Sequence, residues 1–411
     1  MDGTILIRLL LVFLWPLPTI MGVFYDLKSK YLYLFFVLFA VFVGINMYDL
    51  PTSDMYKYVT SSVEYKDVSL QIIFLEKDFV YPLLSKIITQ FSSNFYFVTV
   101  CFTTIYFTVY YKCVKVVSSN IHSNYKTYIP WFYIFALYTI LSFTVVTAFR
   151  YNLAVLYFSW CMLEYVINDK KKFLYLSILT PFIHFSFLFY IVLPFGYLFI
   201  NKLKYRTNIA LLIFVLSFVY SNSGMSSVVS NLSKQYLSES VSSQVDAYAS
   251  EDGVKANAKR YKKAVENGSA KRAINRGIID YSRQILMFSV AFFIVRRKRF
   301  LAKNKFYEQL LLLALLSYSL TNFVSSVLHG SRFFSVSNVL YYFILFYILA
   351  SVKISTAENK MFYRKNKIFY NFVSIVVILS FFNSAYMAKI IFNFPNLIMG
   401  NWIGAYLYFD Y

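Results

Sequence analysis

Apolar stretches long enough to cross a lipid bilayer recur from one end of this 411-residue chain to the other. A helix rises 1.5 Å per residue, so about 18 apolar residues or more are needed to traverse a hydrocarbon core of about 30 Å. Stretches that meet or approach this length lie at 4–25, 31–48, 93–111, 128–147, 151–167, 207–222, 279–295, 306–327, 333–352 and 368–389. They leave no room for a large soluble domain. With 59% hydrophobic and 14% charged residues, the chain is outside the range of an ordinary water-soluble domain. The predicted fold is therefore all-α, a polytopic transmembrane helical bundle forming a single integral membrane domain over 1–411.

The net charge of +21 does not point to nucleic acid, because the Lys and Arg residues fall in short loops between apolar stretches. There they act as topology signals and contact anionic lipid. Many of the 39 tyrosines sit near the ends of the apolar stretches, at headgroup level. Cys101, Cys113 and Cys161 form no CxxC pair, which indicates neither a disulfide framework nor a zinc site. Arg8 interrupts the first apolar stretch and no small-residue cleavage site follows, so a retained helix is expected there. Walker, GxGxxG, HExxH and DxD motifs are missing from the sequence, and no cofactor is expected.

Loops rich in Lys and Arg mark the cytoplasmic side. They lie around Lys28, Lys112 to Lys126, Lys170 to Lys172, Lys202 to Arg206, Arg296 to Lys305, and Lys353 to Lys367. If all six are cytoplasmic, both ends of 173–200 face the same side. That stretch must then be a short hairpin or re-entrant pair, with its turn near Pro181, Ile183 and His184. The total becomes about 10–12 membrane segments. Both termini then lie outside, with an external loop at 49–92 and a larger one at 223–278. The second loop carries nine basic and five acidic residues, against the simple rule, but moving it inside would expose the denser cluster at 296–305.

Ionisable groups are costly beside hydrocarbon, so those collected on one face carry the functional signal. Asp49, Asp54, Glu76, Asp78, Arg150, His184, Arg283, His329 and Arg332 all come out at or near the external face. A guanidinium stays charged at any accessible pH and offers planar donors to phosphate oxygens, which suits Arg150 and Arg332 to a diphosphate. The plainer reading of Arg150, in a connection of a few residues between two spans, is an arginine snorkelling to headgroups. His184 lies at the predicted turn, where a satisfied buried histidine competes with a catalytic one. Arg283 would add a third cation or pair with Asp280 at i−3. His329 stands beside Arg332 in the turn His329-Gly330-Ser331-Arg332. In the first external loop, Asp54 and Tyr58 follow Pro51-Thr52-Ser53, and Glu76 precedes residues 80–91, where Leu83, Leu84, Ile87 and Ile88 fall at helical spacing. That spacing predicts an amphipathic helix lying in the outer interface. Asp54 and Glu76 also read as solvated loop charges, Glu76 with a helix dipole to complement.

Together these strings resemble the polysaccharide polymerase family that includes Wzy-type O-antigen polymerases and EpsG-like exopolysaccharide proteins. The matches are Asp54 with Tyr58, Glu76 with Phe79, Arg150 with Ala154, His184 with Ser186, and Arg332 with Phe333, Phe334, Tyr341 and Tyr342. Their order covers residues 1–352, and Tyr151 stands where the family often has Gln. The resemblance implies a GT-C-like membrane glycosyltransferase in the bacterial cytoplasmic (inner) membrane with its site facing outward. It further implies metal-independent inverting transfer between two undecaprenyl-diphosphate-linked oligosaccharides, one donor and one acceptor. Arg150, Arg332 and Arg283 would hold the diphosphate, and Tyr58 and His329 would contact sugar. His184, Asp54 and Glu76 compete for the base. Membrane lipid and a chain-length regulator are the other candidate partners. A glycan ligase using the same chemistry is an alternative. A lipid-linked oligosaccharide flippase is another, although no internal repeat supports it.

Overall fold

The structure, a computed structural model, describes residues 31–47, 53–119, 148–222, 305–325 and 330–351, with isolated positions at 7, 11, 14 and 51. The predicted spans at 4–25, 128–147, 279–295 and 368–389 and the loop at 223–278 lie outside the described residues. Within the described residues the chain is helical and forms no strand. It divides into two compact units, the first built on residues up to 191 and the second on 192–344, each taking in further segments from the C-terminal part.

In the first unit, α1 (Leu32–Ile45) lies along α5 (Phe95–Ser119). The α5 helix is long and apolar enough to cross a membrane, whereas α1 is apolar but shorter. Their contact is close because Gly44 carries no side chain: a Cβ there would come within 2.6 Å of the Val100 Cα and 2.8 Å of the Thr103 Oγ1. Thr99 and Thr103 of α5 donate their hydroxyls to the carbonyls of Gly44 and Ala40, both at 2.9 Å. Small residues at the crossing and hydroxyls donating across it are how helices associate where lipid removes the hydrophobic drive. Phe39 meets Phe107 edge-on, and Phe36 meets Tyr110 likewise.

Between these two helices the chain forms a set of short helices. Ser53 caps α2 (Asp54–Glu64), its hydroxyl accepting from the Tyr56 N–H at 3.0 Å, with Asp54 in the first turn. Ser69 similarly begins α3 (Leu70–Leu75). The helix predicted at 80–91 is present as α4 (Val80–Phe91), with Ile87 and Phe91 exposed. Its inward face is more polar than the spacing implies: Tyr81, Pro82, Ser85, Ile88 and Thr89 are buried. Ile88 thus turns inward and leaves the outward set that spacing alone assigns to it, because the hydroxyls of Ser62 and Ser85, 2.9 Å apart, draw that face against α2.

Helix α6 (Phe149–Asn168) packs on α5 through the stacked pair Phe102 and Phe149, 4.5 Å between centroids. It stops at Asp169, whose φ of 51° is left-handed, a conformation that a short polar side chain tolerates. The nearly buried Glu164 accepts there from Asn168 at 2.7 Å and pairs with the Lys170 ammonium at 2.9 Å. Helix α7 (Lys171–Ser177) follows against α6. The break expected near Pro181 is present: one 3₁₀ turn covers Thr180–Phe182 and another Phe185–Ile191, with His184 between them.

The second unit contains α8 (Val192–Asn201), α9 (Arg206–Asn222), α10 (Lys305–Ser325), a 3₁₀ turn at Gly330–Phe333 and α11 (Phe334–Ser351), whose last residues belong to the first unit. Arg206 grips Glu308 with two bonds, Nε to Oε1 at 3.0 Å and Nη2 to Oε2 at 2.5 Å, and Thr207 adds a third at 2.9 Å. Deeper in, Asn322 donates to the Ser217 hydroxyl at 3.1 Å, and Ser337 meets Ser317 and Thr321 at 2.9 and 2.8 Å.

Candidate functional site

Asp78 is the centre of the polar cluster in the first unit. It precedes α4, and its own carbonyl accepts from the Tyr81 N–H at 3.2 Å. One carboxylate oxygen pairs with Nη2 of Arg150, and the other accepts the backbone N–H of Phe185 at 2.6 Å. Three elements distant in sequence are thereby joined. Lys77 lies 5.4 Å from the Phe185 ring centroid, and Phe79 lies 5.1 Å from Phe182, so the segment before α4 is clasped by the chain around His184.

Arg150 is not in a loop, as its sequence neighbours suggest, but in the first turn of α6. A cation at that end opposes the helix dipole, and an anion there is favoured. Asp78 supplies it. The guanidinium also lies 5.4 Å above the Tyr81 ring. Tyr81 is fixed from below: its hydroxyl donates to the Tyr58 carbonyl at 2.5 Å and meets Ser61 and Ser62 at 2.7 and 3.1 Å. Tyr58, predicted as a sugar contact, thus supports the Arg150 platform through its carbonyl and through its ring, 5.4 Å from that of Tyr81. The Arg150 Nε is buried and, among the described residues, bonds to nothing.

His184 precedes Phe185, whose backbone N–H binds the Asp78 carboxylate that pairs with Arg150. Tyr151, the next residue on α6, sets its ring edge-on to the imidazole at 5.4 Å, which gives the Tyr at this position a packing role. Nδ1 of His184 lies 2.8 Å from the Ser186 hydroxyl and 3.3 Å from the Ser186 backbone N. A backbone N–H can only donate, so Nδ1 accepts and the neutral ring carries its proton on Nε2. His184 is therefore arranged as an N–H donor.

Glu76 is exposed at the end of α3. Burial pushes the Tyr65 hydroxyl above its ordinary pKa and the charges of Glu76 and Tyr81 push it further, while Arg150 pulls it down. Tyr65 accordingly lies within electrostatic reach of both Glu76 and the guanidinium. Asp54 is exposed and faces Lys57 at 3.9 Å. Arg332 belongs to the second unit, exposed in the 3₁₀ turn before α11, where its carbonyl accepts from the Ser335 hydroxyl at 2.7 Å. Arg283 and His329 lie outside the described residues.

The sequence places Asp78 with the other outward acids but gives it no role. A signal was available: a carboxylate just ahead of an amphipathic helix is a fitting partner for an arginine at the start of another, although Glu76 two residues earlier offers the same signal.

The order Asp78, Arg150, His184 is set in a helical chain whose family model for EpsG matches residues 29–398. The chain belongs to the EpsG family. Membership in the EpsG family brings a polysaccharide polymerase role of glycosyltransferase type and a helical membrane protein to carry it. No curated protein and no solved structure matches the chain.

Proposed function

We propose that this EpsG-family chain polymerises undecaprenyl-diphosphate-linked oligosaccharide repeats into O-antigen or exopolysaccharide at the outer face of the bacterial cytoplasmic membrane, with a GT-C-like architecture. The observation that carries the reading is Arg150 seated on the Tyr81 ring and paired with Asp78, whose other oxygen holds the backbone N–H of Phe185, the residue after His184.

In the transfer, a sugar hydroxyl of one lipid-linked repeat attacks the anomeric carbon of the chain carried by the other lipid. The new glycosidic C–O bond forms as the bond to diphosphate breaks with inversion. The hydroxyl proton passes to a base, and undecaprenyl diphosphate leaves with the electron pair. Charge grows on the departing diphosphate, so fixed donors aimed there lower the barrier. Arg150 meets that charge directly, and the Nε2–H of His184 is a further donor for it. Arg332 and Arg283 are each proposed as cations for a lipid diphosphate, and Tyr58 and His329 as sugar contacts. With Nδ1 of His184 engaged, the base falls to an exposed carboxylate of the first outer segment, Glu76 or Asp54. The exposed apolar side chains Leu70, Ile72, Phe74, Leu75, Ile87 and Phe91 rest that segment in the lipid interface.

Arg150→Ala and Arg332→Ala are each expected to leave the protein in the membrane and to give surface glycan of single repeats in place of long chains. Normal chain lengths in both variants overturn the reading. Absence of any surface repeat in a deletion strain points to a flippase, because an untransported repeat never reaches the surface.

A further inference from the structure

The pairing of Arg150 with Asp78 leaves most of the guanidinium unused. Only Nη2 bonds to the carboxylate, and the buried Nε has no partner among the described residues, although a guanidinium carries five N–H donors. The Arg150 side chain keeps 31% of its surface exposed while that of Asp78 keeps 13%, so the arginine has an open side and the carboxylate is held within the protein. Asp78 is also not stranded when Arg150 lets go, because its second oxygen stays on the Phe185 N–H. The carboxylate therefore behaves as a built-in anion at a site where another anion can take its place.

We propose that Asp78 determines specificity by making the Arg150 site selective for a diphosphate headgroup over the single-charged phosphodiester headgroups of bulk phospholipid. This rests on the reading of Arg150 as a diphosphate contact. A phospholipid headgroup offers one negative charge, no more than the Asp78 carboxylate already provides, and it gains nothing by displacing that carboxylate. A lipid diphosphate brings a higher charge and several acceptor oxygens, and it wins the exchange. Discrimination of this kind works by handicapping the competitor more than by improving the fit to the right ligand. For a site open to a membrane it answers a real hazard, since phospholipid vastly outnumbers polyprenyl diphosphate.

The test is binding of farnesyl diphosphate to the full chain in lipid nanodiscs, with and without phosphatidylglycerol. The wild-type affinity is expected to change less than about twofold when the anionic lipid is added, since a monoanion does not displace Asp78. Asp78→Asn keeps an acceptor for the Phe185 N–H but removes the charge. It should bind about tenfold more tightly without phosphatidylglycerol and lose about that factor when it is present. Asp78→Glu should behave as wild type. If Asp78→Asn shows no gain without anionic lipid, or its sensitivity to phosphatidylglycerol matches wild type, the proposal is overturned. Failure of Asp78→Asn to accumulate also overturns it, because an anion that yields to substrate is not one the fold depends on. If instead Arg150→Ala binds farnesyl diphosphate as wild type does, the proposed function itself fails. Loss of binding in Arg150→Ala with no effect of Asp78→Asn removes the selectivity role alone.

Discussion

The ring of Tyr81 lies beneath the guanidinium of Arg150, 5.4 Å from centroid to Cζ, while its hydroxyl is anchored on α2. Arg150 is therefore aimed by a residue whose own position depends on Tyr58, Ser61 and Ser62. Tyr81→Phe keeps the ring but removes one donor from the Tyr58 carbonyl, which the hydroxyls of Ser61 and Ser62 still reach at 3.2 and 2.6 Å, a loss of about 1 kcal/mol. Thermal unfolding in detergent should register it, with long glycan still made. Tyr81→Ala removes the platform as well and should shorten the chains seen on a glycan gel. Normal chain lengths in Tyr81→Ala would separate the ring from the site.

At the crossing of α1 and α5 the space for a side chain on Gly44 is already taken by backbone, the Val100 Cα being 2.6 Å from an ideal Cβ. Backbone cannot swing aside as a side-chain tip can. Gly44→Ala should force the helices apart, stretch the bonds from Thr99 and Thr103, and destabilise the first unit by about 1–3 kcal/mol. Gly44→Val should reduce the amount of protein recovered in membranes. An unchanged melting temperature in Gly44→Ala would show that the helices do not approach this closely.

Arg206 and Glu308 hold α9 to α10 by paired bonds, with side chains 19% and 26% exposed. Shielding of that degree makes a single deletion worse than a double one, because the survivor is left charged and unmatched. A double-mutant cycle of Arg206→Ala and Glu308→Ala is expected to give a coupling of about 1–3 kcal/mol. Additive losses would reduce the pair to a surface contact.

Much of this framework is legible in the residue pattern, for identifiable reasons. The apolar stretches at 31–48, 93–111, 306–327 and 333–352 become α1, α5, α10 and α11, since a run that cannot face water has few conformations open to it in lipid. Pro181 announces the break beside His184, and the spacing of Leu83, Leu84 and Ile87 announces α4. Pairings between distant segments are not legible. Asp78 and Arg150 are 72 residues apart, and nothing local in either string names the other. The orientation of Ile88 is hidden in the same way, because it depends on the hydroxyls of α2. The helices α2 and α3 owe their starts to Ser53 and Ser69, and α3, at 6 residues, is too brief to leave a periodic trace.

The tautomer of His184 separates two chemical roles that composition cannot. The Ser186 backbone N–H points at Nδ1, which leaves Nε2 as the protonated nitrogen of the neutral ring. A base needs a free lone pair, whereas a donor needs the N–H. Glutamine carries a side-chain N–H close to where Nε2 sits and cannot accept a proton at neutral pH. His184→Gln should therefore retain a measurable fraction of polymerisation, down by about tenfold to a hundredfold, while His184→Ala falls below it. Ser186→Ala should cost less than either, since the backbone N–H that fixes the tautomer remains. The readout is the rate of chain extension from a purified lipid-linked repeat in detergent. If His184→Gln is as inactive as His184→Ala, the donor role loses its support and proton removal by the imidazole takes its place.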